Sequence, residues 1–165
     1  MSPVHPAVHR APLRSRDDTV DHAAAVEHAL RRGVVGLGGR LDVAPADLDE
    51  AIGQVEQQHG ERVAARLERF AALPVGDFVW TRDADADLWL GRIEGEWRFD
   101  EAPAAAAADL QHVRSCRWSD APVPWSDVPA AVPATFARGG RNFQRIHDAE
   151  AEAATSRWWA EHGSP

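Results

Sequence analysis

Apolar positions recur along this chain with two different periods, and the change from one to the other divides it. Val20, Ala24, Val26, Ala29 and Leu30 make a helical stripe that follows the capping candidates Asp17, Asp18 and Thr19 and stops at Gly33. Val34-Val35-Gly36-Leu37 is short, β-branched and flanked by glycine, which predicts a buried strand broken by Gly38-Gly39. Pro45 suits a first helical turn. Leu48, Ile52 and Val55, then Val63, Leu67 and Phe70 after Gly60, keep the helical period, so 45–72 is one helix, or two joined near His59-Gly60. Residues 1–18 hold three prolines and scattered charge without periodicity, and read as a disordered leader.

From Pro74 the period falls to two. Gly76-Asp77-Phe78-Val79-Trp80-Thr81 and Leu88-Trp89-Leu90-Gly91-Arg92-Ile93 predict two strands across an Asp-rich turn. Gly95 to Asp100 alternates again, with Trp97 and Phe99 on one face. The alanine run 104–108 reads as a loop or a single helical turn, and 110–118 as another strand. After a proline-rich connection through Pro122, Pro124, Pro129 and Pro133, a last strand is expected around 142–146, beyond the turn Arg138-Gly139-Gly140-Arg141. An Ala/Glu-rich helix over 148–162 carries Trp158 and Trp159 and closes the chain. Helices followed by several short strands predict an α+β fold with a small curled sheet or barrel over 19–147.

Composition narrows the function. The chain has 165 residues, eighteen basic against twenty-six acidic side chains and a net charge of −8, which argues against an indiscriminate polyanion binder. Every basic residue is arginine, and the charge is unevenly spread: residues 1–40 carry six arginines and four acids, 76–109 three and nine, 110–147 five and two. Folding that joined the two positive stretches would put a basic face on an acidic body. The sequence has no apolar run long enough to span a membrane and no secretory signal pattern, so the expectation is a cytoplasmic protein without membrane contact. One cysteine, Cys116, permits no internal disulfide.

Catalytic and metal chemistry find little footing. Asp83, Asp85, Asp87 and Glu94 fall at positions 1, 3, 5 and 12 of a calcium-loop pattern, but position 6 is Leu88 where glycine is required. A polar hairpin turn is the better reading. Cys116 and His112 share a strand face but stand about 13 Å apart along it, too far to share a proton. The scattered histidines offer no helical zinc pair, and Gly36-Leu37-Gly38-Gly39 lacks dinucleotide-loop spacing. No cofactor and no catalytic residue is therefore assigned. The aromatic set Trp80, Trp89, Trp97, Phe99 and Trp118, all on expected strands, is where a flat ligand such as an extruded base would stack beside arginines.

The order of these motifs resembles the PUA-like (EVE/YTH-related) domain found at the N-terminus of Mrr-type and HNH-type restriction endonucleases. The resemblance covers roughly 28–147. It rests on Gly33-Val-Val-Gly36-Leu-Gly38-Gly39, Gly76-Asp77-Phe78-Val79-Trp80, Leu90-Gly91-Arg92-Ile93-Glu94-Gly95-Glu-Trp97-Arg-Phe99, His112-Val113-Arg114-Ser-Cys-Arg117-Trp118 and Val123-Pro124-Trp125-Ser126-Asp127-Val128-Pro129. It implies a non-catalytic module that binds nucleic acid and accepts a modified base into an aromatic pocket, in a defence or restriction setting that supplies a nuclease partner. By position it implies Trp97, Phe99 and Trp118 as pocket aromatics with Arg114 and Arg117 beside them; the residues themselves add Trp80 to the aromatic set and Arg141 to the phosphate or base-edge contacts. Gly38-Gly39 replaces an aromatic of the family pattern, and Trp125 stands where the family carries a basic residue. Two other classes fit the same residues. A protein-interaction module would use Trp125, Trp158 or Trp159, and a small-molecule sensor would use the aromatic pocket without the basic face.

Overall fold

The computed structural model describes residues 4–163. Its centre is an open, mixed sheet of six strands in the order β2-β5-β4-β3-β1-β6. The strands are β1 (Val8–Arg10), β2 (Val34–Leu37), β3 (Phe78–Arg82), β4 (Leu88–Phe99), β5 (His112–Trp118) and β6 (Gln144–Arg145). The helices are α1 (His22–Arg32), α2 (Leu48–His59), α3 (Glu61–Ala72), α4 (Pro103–Ala108), α5 (Ala131–Ala137) and α6 (Ala149–His162). The class is α+β, and none of these helices is long and apolar enough to cross a membrane.

Alternation along β3 serves two cores. Val79 enters a cluster with Val26 and Ala29 of α1, while Phe78 and Trp80 enter another with Val132, Phe136 and the partly buried Trp158 and Trp159. Both faces of the sheet are thus covered. A third cluster holds Val55 of α2 and Leu67 of α3 against Trp97 and Phe99. One strand reaches all three because β4 is kinked. Ile93 pairs with Cys116 but Trp97 pairs with Arg114, so β4 takes four steps where β5 takes two. Such a bulge bends and twists its strand. The expected break between Ile93 and Gly95 is this bulge inside a single strand.

The helix ends follow local chemistry. Asp21, Asp47 and Asp148 accept backbone N–H bonds at the N-termini of α1, α2 and α6. Gly33 ends α1 in the left-handed region at φ 67°, and Gly60 separates α2 from α3 at φ 96°.

Two expectations are corrected. Within the segment expected to be disordered, the described residues are ordered: Val8–Arg10 runs parallel to β3 and antiparallel to β6, and Val8, Ala11 and Leu13 are buried (Met1–Pro3 lie outside the described residues). A three-residue strand between prolines carries no periodicity to read. It is held by partners distant in sequence. Of the two readings of the alanine run, the helical one holds, as the short helix α4 opened by Pro103. The proline-rich connection contains α5, with Pro133 in its first turn, where a helix needs no N–H donor.

Candidate nucleic-acid interface

The aromatic set does not converge on one pocket. Trp80 is fully buried, its indole N–H directed at Thr155 Oγ1 at 3.3 Å. Trp97 donates to Nδ1 of His112 at 3.4 Å and packs with Phe99 on the α2–α3 cluster. Trp118 donates to the Val34 carbonyl at 3.0 Å, and Trp89 to the Asp83 carboxylate at 2.9 Å. The last two indoles line a separate cleft beside α1, with Glu27, Asp83, Asp85 and Asp120 at its rim. The indoles serve different cores, and none of the described clefts gathers Trp80, Trp97 and Trp118.

His112 has both ring nitrogens engaged. Nε2 donates to the Gly39 carbonyl at 2.8 Å while Nδ1 receives the Trp97 N–H, which is the pattern of a neutral ring. Burial lowers its pKa below the ordinary histidine value, outweighing the opposing effects of the Gly39 carbonyl and Asp109. Cys116 is buried, and desolvation pushes its thiol well above the ordinary range, which suits a core side chain and not a nucleophile. In the Asp-rich turn, Asp83 Oδ1 accepts the N–H groups of Asp85 and Asp87, so this carboxylate organises the hairpin.

Two of the three arginines singled out in the sequence are held inside the protein's own network. Arg114 is only 1% exposed. Its Nε donates to the Gly95 carbonyl at 2.7 Å, and Nη1 donates to the carbonyls of Phe70 at 3.0 Å and Leu73 at 2.8 Å. It therefore closes the C-terminal end of α3, where a cation is favoured, onto the bulge of β4. Arg117 pairs with Glu94 at 3.4 Å. Arg141 is different. It bonds the Ser15 carbonyl and Asp18, yet lines an open cleft.

That cleft, about 330 Å³, lies among the loop after β1, the Gly38–Arg40 turn, α3 and the segment before β6. Arg14, Arg16, Arg40, Arg66 and Arg141 line it, with Phe143, Asp17 and Asp109. A second cleft of about 810 Å³ shares Arg66 and Phe143 and adds Arg69, Arg145 and the His9–Asp77 pair. A third shares Arg14 and Arg141 and adds Arg10 and Arg82. Nine of the chain's eighteen arginines thus line three adjoining clefts against three aspartates, which makes this region strongly basic on an acidic molecule.

Fixed geometry holds the floor. Asp109 adopts φ 54° and accepts from Ser15 Oγ at 2.6 Å and from the Gly39 N–H at 3.3 Å, joining the turn after β2 to the loop after β1. A Cβ at Gly38 would lie 2.7 Å from the Asp109 carboxylate, so a larger residue there would push that carboxylate from its place. His9 donates to Asp77 at 2.9 Å and stacks on Phe143, whose other neighbour is Phe70, edge-on at 5.4 Å. Arg66, Arg69, Asp109 and Phe143 went unmarked in the sequence. The first two sit in a net-acidic segment where they resemble a solvated helix face; their spacing to Leu67 and Phe70 is the only signal that they border a buried one. Comparison of the chain with family models, with curated proteins and with solved structures returns no match.

Proposed function

We propose that the protein is a non-catalytic nucleic-acid-binding domain that uses the arginine-lined clefts as its contact surface. One observation carries the reading: arginines from the loop after β1, the turn after β2, α3 and the segment around β6 converge on adjoining concave surfaces of a chain whose net charge is −8. Concentrated guanidinium charge with one aromatic wall suits a phosphate backbone beside a stacked base. Phe143 takes the stacking place first given to Trp97, Phe99, Trp118 and Trp80, and Arg141 stays in the contact set while Arg114 leaves it. The order of sequence motifs supports placing the fold among PUA-like domains and the ligand as nucleic acid with a modified base, DNA in a restriction-type setting being the case to try first.

The test is fluorescence anisotropy with single- and double-stranded oligonucleotides, with and without modified cytosine or adenine, at rising salt. Affinity should fall steeply with salt, by about 0.7 log units per log unit for each phosphate contacted on a single strand. Absence of binding to every probe at low salt would overturn the reading. A protein-interaction module is the second reading, favoured by Trp125, which is 57% exposed in the turn before α5, and by the acidic cleft lined by Trp89 and Trp118.

A further inference from the structure

Arginines that line a cleft are ordinarily tied down, and here most are. Arg14 reaches His22, Arg16 the Asn142 side chain, Arg40 Asp17 and the Ala106 carbonyl, and Arg141 Asp18. Arg66 differs. It is half-buried on α3, it is common to the first two of these clefts, and among the described residues it has no hydrogen-bond or ion-pair partner. Its charged neighbours are cations: Arg62 and Arg69 at helical spacing on its own face of α3, and Arg16 from the loop after β1.

We propose that Arg66 is the seat of a phosphate oxyanion, and that Arg16 and Arg69 flank this seat from either side. The assignment rests on the nucleic-acid reading for the source of the phosphate, a diester of a bound strand, but its chemistry is shared with free phosphate. Like charges brought together on a partly desolvated surface repel, and an anion between them reverses the sign of that energy. A phosphate suits the geometry better than a carboxylate, because its oxygens accept from several directions at once and guanidinium forks pair with it in bidentate fashion. Burial, and then the charges of Arg16, Arg69 and Arg62, lower the Arg66 pKa. Phe143 borders the same junction, so a nucleotide whose phosphate sits at Arg66 has an aromatic wall within the same pair of clefts. The α2–α3 hairpin thereby contributes to ligand contact and not only to the core.

Arg66→Gln and Arg66→Lys are compared with the parent and with Arg157→Gln, an exposed arginine of α6 outside these clefts. Two probes are used, a labelled oligothymidylate of about twelve nucleotides and inorganic pyrophosphate read by thermal shift. Arg66→Gln should weaken the oligonucleotide about tenfold and lower the salt slope by about 0.7, whereas Arg157→Gln does neither. Its Tm without ligand should stay level or rise, because the repulsion is relieved. Pyrophosphate should raise the Tm of the parent but not of Arg66→Gln, and Arg66→Lys should recover part of both effects. If the parent binds the strand and Arg66→Gln loses no more than the control, the seat is wrong and the nucleic-acid reading survives. If no strand binds but pyrophosphate stabilises through Arg66, the seat stands and its source is free phosphate. If neither ligand acts on the parent, both assignments fall.

Discussion

Arg114 Nη1 donates to the Leu73 carbonyl at 2.8 Å, a bond from the central strand β5 to the residue that ends α3. The same guanidinium holds the Gly95 carbonyl inside the bulge of β4. One side chain thus anchors the helical hairpin to the kink that aims Trp97 and Phe99 at it. Removing it leaves three carbonyls without this donor in a buried setting. Arg114→Met should cost about 3 kcal/mol, and Arg114→Lys should recover only part because one ammonium cannot follow three diverging acceptors. Denaturant unfolding of both variants measures this. A Met variant as stable as the parent would remove the structural role assigned here.

Arg141 should separate binding from folding. Its ion pair with Asp18 joins a partly exposed guanidinium to an exposed carboxylate, so Arg141→Gln should change stability by less than about 1 kcal/mol. Oligonucleotide affinity should fall several-fold and the salt slope by about 0.7. Equal slopes for parent and variant would take Arg141 out of the contact surface.

Gly91 is a packing constraint. A Cβ there would meet Cys116 Sγ at 2.5 Å and the Trp118 ring at 2.7 Å. Gly91→Ala should therefore destabilise by about 1–3 kcal/mol through overpacking in the sheet. A Gly91→Ala, Cys116→Ala double variant should recover part of the loss, and strictly additive effects in a double-mutant cycle would contradict the contact.

Acid should weaken the fold by way of His112 and His28. Burial lowers the pKa of each, aided at His28 by Arg32, and a neutral His112 is what its two hydrogen bonds require. Below the unfolded histidine value of about 6.5 the unfolded chain binds more protons than the native one, so stability rises with pH there. It is complete above about 6.5 and is lost as pH falls through that value toward the folded pKa values. Tm measured at about pH 7.5 and 5.5 checks the slope, and His112→Asn should flatten it while lowering the plateau. A flat profile for the parent would count against both assignments.

The segment before Arg14 should be indispensable. Removing residues 1–13 takes away the strand between β3 and β6 and the buried side chains Val8 and Leu13. The truncated chain should lose its cooperative thermal transition. A cooperative transition near the parent Tm would restore the reading of a dispensable leader.

Legibility tracked how local each cause is. Val34–Leu37, Phe78–Arg82 and the helices of 48–72 are visible in sequence because their periodicity and caps are written within a few residues of each other. β1 is not, since its pairing energy comes from β3 and β6. α5 is hidden because Pro133 reads as a breaker anywhere but in a first turn. At the candidate site, the tryptophans are large flat surfaces suited to stacking, yet size is also what fills a core on both sides of a sheet. The arginines that line the clefts are anonymous in sequence, because their meaning lies in which distant segments face them. Arg114 shows the converse: in sequence it looks like a ligand contact beside Trp118, but between the core residues Val113 and Cys116 it turns inward and closes the end of α3.

The sheet order also fixes a sequence of events during synthesis. β1 is made before the strands on either side of it, β3 and then β6. Until then β1 lacks the strands it pairs with, and Arg16 lacks its partner Asn142. The strand that closes the sheet edge also brings Arg141, Phe143 and Arg145 into place. On the proposed reading, a chain without β6 lacks part of its contact surface, so competence for the ligand arrives together with the closing of the sheet.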